Sequence, residues 1–443
     1  MEPVTGERKL TRRQVLAAFG KTAVVYPLVG LWQIGCGGGS SPLPPPGGDG
    51  YPGTDDQLLD EIERAGFQFF WEQADPSTGQ VKDRSSANGN DTRDVSSIAA
   101  TGFGLAALCI ADQRGYAPST NLAERVRTTL RFLLTQMPNQ NGFFYHFVNM
   151  TTGTRAFNSE VSSIDTAILL CGVLTCRKHF QDAEIVSLAT QLYHRVDWAW
   201  MLNGGRTLSH GWTPESGFLT AGWDTYSELM MLYLLALGSP THPIPAASWG
   251  AWTRPTMQYQ GLQYISPAAP LFVHQYSHAW FDFRNKRDDY ADYFQNSVTA
   301  TLAHRLFCLS LASRFPDYTD DLWGITASDS VNGYAVWGGP PAIGPIDGTV
   351  VPAATGGSVA FVFPQTIRVL RTIRGRYGAQ AWKRYGFVDA FNPLTRWYNA
   401  DVIGINLGIM VLTAENARTG FVWQTFMQND EAPNAMSLAG FRA

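Results

Sequence analysis

Cysteine is scarce, five in 443 residues, and that scarcity excludes a disulfide-stapled scaffold. Cys36 belongs to the N-terminal segment. Cys109, Cys171, Cys176 and Cys308 lie inside apolar runs (LAALCIA, LLCGVLTC, LFCLSLA), where a free thiol behaves as a small hydrophobe. Cys171 and Cys176 are five apart, which matches neither a CxxC redox pair nor a zinc knuckle. Charge is sparse too: 16% of residues, 33 basic against 37 acidic, net -4. No basic footprint results, which excludes nucleic acid as the expected partner. There is no phosphate loop, dinucleotide fingerprint, G-x-S-x-G elbow or HExxH helix, so the commonest nucleotide, serine-hydrolase and zinc-protease chemistries are excluded. The eight histidines are scattered. His274 and His278 stand four apart without a third ligand, so no metal is expected.

Aromatic residues are abundant instead, at 13% with 14 tryptophans. A surplus of Trp beyond the needs of a core lines binding clefts, where flat apolar faces stack on sugar rings or other planar ligands.

The N-terminus reads as a targeting segment. Thr11-Arg12-Arg13-Gln14-Val15-Leu16 is a twin-arginine pattern, and the apolar stretch that follows, residues 15–34, is interrupted by Lys21 and glycines, too weak for a membrane span. Gln33-Ile34-Gly35-Cys36 resembles a lipoprotein cleavage box. The expectation is export of residues 1–36 by the twin-arginine route, with the mature chain periplasmic or anchored at Cys36. That anchor is the only membrane contact expected. Residues 37–53, GGGSSPLPPPGGDGYPG, form a tether with little to pack, and a single domain is expected over 54–443.

Within that domain, apolar and amphipathic segments alternate. Thr54 is placed to cap a helix to about Trp71. Residues 98–115 read as buried and 121–137 as amphipathic, 162–179 as buried and 182–200 as amphipathic. Residues 228–237, 297–315 and 404–413 are again apolar, whereas 364–377 is amphipathic and basic. Short strands are expected only within 142–156 and 333–351. Buried and amphipathic helices in alternation, with long connectors at 202–225 and 238–293, predict an all-α barrel, a double ring of helices whose long loops form a cleft at one end.

The stretch AGWDTYSELMMLYLLALGSPTHP, residues 221–243, organises this reading. It sets Glu228 in the first turn of an apolar helix that stops at Gly238, with Pro240 and Pro243 behind it. A carboxylate there either caps free N–H groups or, desolvated by Trp223 and Tyr226, holds a proton near neutral pH. Other polar residues fall at the starts of buried segments: Asp94, Glu160, Asp165 and Asn406. Acids gathered at one rim beside Trp212, Trp223, Trp280, Trp337 and Trp397 point to a polyhydroxylated substrate and to glycoside hydrolysis, which needs one protonated and one ionised carboxyl group.

Eight segments carry a resemblance over nearly the whole mature chain: SSIAATGFGLAALCIADQRGY, SEVSSIDTAILLCG, TYSELMMLYLLALGSPTHP, FDFRNKRDDYADYFQNS, WGITASD, DGTVVPAATGGS, RYGFVDAFNP and IGINLGIMVLTAENARTGFVW. Together they resemble the bacterial glucoamylase-like proteins that include glycoside hydrolase family 144, the β-1,2-glucanases. The resemblance implies an (α/α)6 barrel, no cofactor, and inverting hydrolysis of β-1,2-glucan, either internally or by release of sophorose. The family's acid falls on Glu228, Asp165 matches an acidic cleft residue, and Glu160 is a further candidate. Two positions depart from the family: Asn406 stands where Asp is usual, as IGIN rather than IGID, and Gln365 also stands where an acid is expected. Asn cannot act as a carboxylate base.

The mechanism expected has Glu228 as general acid and Asp165 activating water, directly or through a relay. Trp223, Tyr226, Trp280 and Trp397 are the expected sugar platforms, with Trp212 on the same rim, and Arg84, His242 and Arg284 contact hydroxyls. The rival readings are a glucan-binding lipoprotein without catalysis, motivated by Asn406 and Gln365, and a transglycosylase or phosphorylase.

Overall fold

The computed structural model describes residues 49–443. The twin-arginine segment, Cys36 and the tether up to residue 48 lie outside the described residues. The folded part begins before the expected Thr54. Arg371 binds Asp49 and the carbonyls of Tyr51 and Gly53, and Tyr51 is buried.

The chain is rich in helix, and its helices alternate in character as the hydropathy pattern predicts. Helix α1 (Asp55–Glu72) starts at a capping box, with Thr54 and Gln57 each accepting from the other's backbone N–H. Helix α2 (Ile98–Arg114) is buried on every side from Ile98 to Ala111. Ser97 caps it, and Gly115, in the left-handed region at φ 69°, ends it. Helix α3 (Ser119–Thr135) is amphipathic; α4 (Ser163–His179) is buried through Arg177 and capped by Ser162. Helix α5 (Ala183–His194), capped by Asp182, stops earlier than the expected residue 200, and Asp197 caps a separate turn, Trp198–Met201. Helix α6 (Met230–Gly238) is wholly buried. Then come α7 (Tyr293–Ser310), α8 (Pro352–Gly356), the amphipathic α9 (Phe363–Arg376) and the buried α10 (Gly404–Arg418), with α11 (Phe421–Phe426) and α12 (Glu431–Leu438) closing the chain.

Buried helices pack on one another. Helix α2 lies against α4 and α10, and α4 against α6, while α1 covers α2 and α10, and α5 covers α4. The α2–α4 crossing is close because both helices offer glycine: a Cβ on Gly172 would stand 2.1 Å from the Gly102 carbonyl oxygen, and one on Gly102 2.5 Å from that of Ile168. Among the described residues no helix is long and apolar enough to cross a membrane.

Short strands lead directly into three of the buried helices. Val95–Ser97 precedes α2 and pairs with Phe147–Asn149. Val161–Ser162 precedes α4 and pairs with Gly211–Thr213. Asp401–Ile403 precedes α10 and pairs with Arg84–Ser86. These ladders satisfy backbone groups just before the helix starts and hold the intervening loops in place. Sequence periodicity missed most of them because runs of two or three residues carry no period. The expected regions do contain strands, at Phe143–Phe144, Phe147–Asn149 and Gly333–Ala335, but the hairpin Thr256–Tyr259/Leu262–Ile265 lies in a connector read as loop.

Candidate active site

The first group of chemically capable side chains forms at the start of α4. Ser162 caps the helix by accepting from the Asp165 N–H at 3.1 Å, and its hydroxyl donates to Asp165 Oδ2 at 2.5 Å. Glu160 sits just ahead of the strand. Between the two carboxylates lies His146, which backs onto Phe147 with ring centroids 3.9 Å apart. Its Nδ1 is 3.2 Å from Glu160 Oε1 and its Nε2 is 3.7 Å from Asp165 Oδ2. The backbone repeats the link, since the His146 N–H donates to the Glu160 carbonyl. The arrangement can hold or pass a proton between two acids. Ligand atoms of the same three residues lie within 4.8 Å of one another and could hold a metal ion.

Beside them, Trp223 Nε1 donates to Ser163 Oγ at 2.9 Å, and His210 stacks on the indole at 4.1 Å. Trp212, half-buried, pairs through its backbone with Val161. Glu228 lies two residues ahead of α6 rather than in its first turn. The backbone there is held by Ser277, whose hydroxyl donates to the Glu228 carbonyl at 2.7 Å and accepts from the Met231 N–H at 3.0 Å. The N-cap position of α6 is Leu229, which makes no side-chain cap bond, and Glu228 is only 1% exposed.

A second group gathers at the start of α10. Arg84 Nη1 reaches both oxygens of Asp329 at 2.8 Å, and its Nε reaches Asp83 at 3.0 Å. Burial alone would pull the guanidinium down, but the facing charges of Asp83 and Asp329 outweigh it and raise its pKa. Asn399 also donates to Asp329. Behind Asp329 lies Asp389, which accepts from the Asp329 N–H at 2.7 Å and from Asn406 Nδ2 at 2.7 Å. Burial, assisted by repulsion from Asp329, pushes the Asp389 carboxyl up to about 7.

The expected residues divide accordingly. Glu160 and Asp165 meet, with Trp212 and Trp223 nearby. Arg84 joins the second group, and half-buried Trp397 sits on a hairpin whose next residues include Asn399. Asn406 does not offer its amide to a cleft, because it spends it on Asp389 and on the Ala327 carbonyl. Four expectations are corrected. Tyr226 is fully buried, bonded to His274 Nδ1 at 3.1 Å, and Trp280 is a core side chain against Phe103, so neither is a sugar platform. His242 is exposed beyond the C-terminal end of α6, the end away from Glu228. Arg284 pairs with Asp282 and lies over Trp423, beyond the C-terminal end of α10. His274 and His278 are not a ligand pair either: burial lowers both to about 3, and they bond to hydroxyls of Ser266 and Ser297.

The sequence reading assigned no role to His146, Asp329 or Asp389. The last two stand inside WGITASD and RYGFVDAFNP, so family motifs marked them without periodicity doing so.

A family model described as "Glycoamylase: Putative glucoamylase" matches residues 220–430, which span Glu228, Asp329, Asp389 and Asn406. Over that span, just under half of the chain, the protein is similar to the glucoamylase-like family. An exo-β-1,2-glucooligosaccharide sophorohydrolase (non-reducing end) of Parabacteroides distasonis is 27% identical over 423 residues, 86% of this chain. The chain spans 57% of the length of that curated relative. Among solved structures, an endo-β-1,2-glucanase of Chitinophaga pinensis, in complex with sophorotriose and glucose, superposes with a TM-score of 0.81 at 26% identity, covering 88% of this chain and 99% of that one. A β-1,2-glucanase of Parabacteroides distasonis, 24% identical, shares the fold with a TM-score of 0.81 over 88% of this chain and 60% of that one.

Proposed function

We propose that this chain is a glycoside hydrolase acting on β-1,2-glucan or its sophoro-oligosaccharides by an inverting acid/base mechanism. Its architecture in this reading is an (α/α)6 barrel with the cleft at the helix starts. The observation that carries the proposal is the gathering of Glu160, Asp165 and His146 at the start of α4, within a family whose relatives cleave β-1,2-linked glucose.

Glu228 is the general acid. It is buried, and its backbone carbonyl is anchored by the Ser277 hydroxyl. Asp165 is the second carboxylate, held at the helix start by the Ser162 hydroxyl, and draws a proton from water directly or through a relay including Glu160 and His146. Inversion requires room for that water, about 6.5–9.5 Å between carboxyl groups or more with a relay. Trp212 and Trp397 border the sugar path, buried Trp223 is no platform but holds Ser163 at the helix start, and Arg84 with Asp329 offers hydroxyl contacts. No cofactor takes part in the proposed steps. Residues 1–36 export the chain, and Cys36 anchors it or is lost with the leader, so that it works in the periplasm.

Asn406 favours one rival, a glucan-binding lipoprotein that has lost catalysis. Reducing-sugar release and product chromatography from linear and cyclic β-1,2-glucans decide between the two. Product formed by the wild type and absent in Glu228→Gln supports the hydrolase. Tight binding with no product at high enzyme concentration overturns it. Phosphate-dependent product would indicate a phosphorylase.

A further inference from the structure

The segment FDFRNKRDDYADYFQNS takes no part in the mechanism above, yet it builds a rigid loop around a solvent-facing aromatic ring. Asp288 is fully buried and organises the turn. Its Oδ1 accepts from the backbone N–H groups of Tyr290 and Ala291 at 2.7 and 2.8 Å, and its Oδ2 accepts from Trp249 Nε1 and the Tyr293 hydroxyl at 2.8 and 3.0 Å. Four bonds to one desolvated carboxylate fix the loop and the residue at its tip. That residue, Tyr290, is 51% exposed.

The ring is supported from behind. The Arg254 guanidinium lies 3.7 Å from the Tyr290 centroid and 3.3 Å from that of Trp252, so the cation is held between the two rings. Three bonds hold the guanidinium: Nε to the Tyr293 hydroxyl at 2.6 Å, Nη1 to the Trp252 carbonyl at 2.9 Å and Nη2 to the Trp249 carbonyl at 3.0 Å. Gly250 makes room for the phenol, since a Cβ there would come within 2.7 Å of its oxygen. The inner face of the ring rests on the guanidinium while the outer face stays open to solvent, so one rigidly oriented aromatic face is presented to a ligand.

Tyr290 and Arg254 border a groove of about 650 Å³ that also presents the exposed polar side chains of Gln263, Asp292 and Gln295. An aromatic platform among side-chain amides and a carboxylate matches a hydroxyl-rich chain, whose rings stack while their hydroxyls bond. The groove is tied to the proposed acid through one short link. Thr253, next to Arg254, pairs with Thr225 and exchanges backbone bonds with Asp224 and Tyr226, two residues before Glu228.

The geometry points to an auxiliary glucan-binding site in which Tyr290, backed by Arg254, stacks on a sugar ring of a polymer whose reacting bond lies elsewhere. It rests on the glucan reading of the active site. It makes no catalytic contact. Its effect is confined to chains long enough to reach both places.

The test uses the full chain carrying Glu228→Gln, so that sugar binds without turnover, with linear β-1,2-glucan polymer and sophorotriose as probes. Tyr290→Ala should weaken polymer binding about tenfold in affinity electrophoresis or calorimetry and leave sophorotriose binding and the thermal midpoint unchanged. Tyr290→Trp should restore polymer binding. In the otherwise wild-type enzyme, Tyr290→Ala should raise KM for polymer alone and leave kcat on sophorotriose unaltered. Unchanged polymer affinity, or equal loss for both probes, overturns the auxiliary site even where hydrolysis stands. If the wild type neither cleaves nor binds β-1,2-glucan, the functional reading fails first, and the Tyr290 comparison moves to whichever of β-1,3- or β-1,4-glucan retards the protein. Retardation by none of them overturns the site as well.

Discussion

The Asn406 side-chain amide donates to Asp389 Oδ1 at 2.7 Å, and both side chains are buried. This single bond changes the meaning of the IGIN motif. An asparagine in place of the family's aspartate is well matched to an acid partner that burial pushes up to about 7, because it supplies a donor where a second carboxylate would supply repulsion. Asn406→Asp would set two buried carboxyl groups at that distance, sharing one proton. The variant should be destabilised by roughly 2–4 kcal/mol at pH 8 and by less at pH 5, where the pair more readily keeps the shared proton. Thermal midpoints at the two pH values check this, and a variant as stable as wild type at pH 8 contradicts it.

Glu228→Gln keeps the size of the side chain and removes the transferable proton. Turnover of β-1,2-glucan should fall by about 10²–10⁴, within the usual range for loss of a general acid, with the thermal midpoint nearly unchanged. Retained turnover removes Glu228 from the mechanism.

His146 faces Glu160 through one nitrogen and Asp165 through the other. His146→Phe deletes both contacts and should lower kcat at least about tenfold. His146→Gln, able to serve one acid at a time, should lose less. Steady-state kinetics of the two variants, with circular dichroism to verify folding, separates positioning from simple packing, in which Phe would be the better replacement.

Glu63, in α1, is fully buried against Arg418, Tyr116 and the Glu415 charge, and burial first, then Glu415, raise its carboxyl to about 8. A folded-state value above the unfolded one means the folded protein binds the extra proton. The stability gained is present below about pH 4.5 and is lost as the pH climbs through 8. Glu63→Gln should therefore improve relative to wild type on going from pH 5 to pH 9, by a few kcal/mol at most, as read from chemical denaturation at the two pH values.

Gly172→Ala places a methyl group 2.1 Å from the Gly102 carbonyl oxygen at the α2–α4 crossing. The helices must separate, at a cost of about 1–3 kcal/mol or more despite alanine's better helix propensity. A thermal midpoint equal to or above that of wild type would show that the crossing is looser than described.

The sequence by itself determined the alternation of buried and amphipathic helices, because a helix hydrophobic all round and one with a single apolar stripe differ in periodicity that needs no tertiary knowledge. It also located the cap at Thr54, since the capping oxygen and the N–H it serves are three residues apart, whereas the caps at Ser97 and Ser162 appear only in the structure. Glu160 and Asp165 were legible for the same reason: they flank one helix start. The aromatic assignments were not. Trp280 and Tyr226 are as flat and apolar as Trp212, and only the surrounding helices decide that the first two are core while the third is half-buried. His242 and Arg284 failed because a residue near a helix in sequence can lie at either end of it in space. Asp329 meets Arg84 across 245 residues, and Asp389 was unreadable as a raised acid until burial and that neighbour were known. Desolvation and charge coupling depend on what the folded chain brings close, so the helices were written in local pattern and the chemistry of the rim was decided only by tertiary structure.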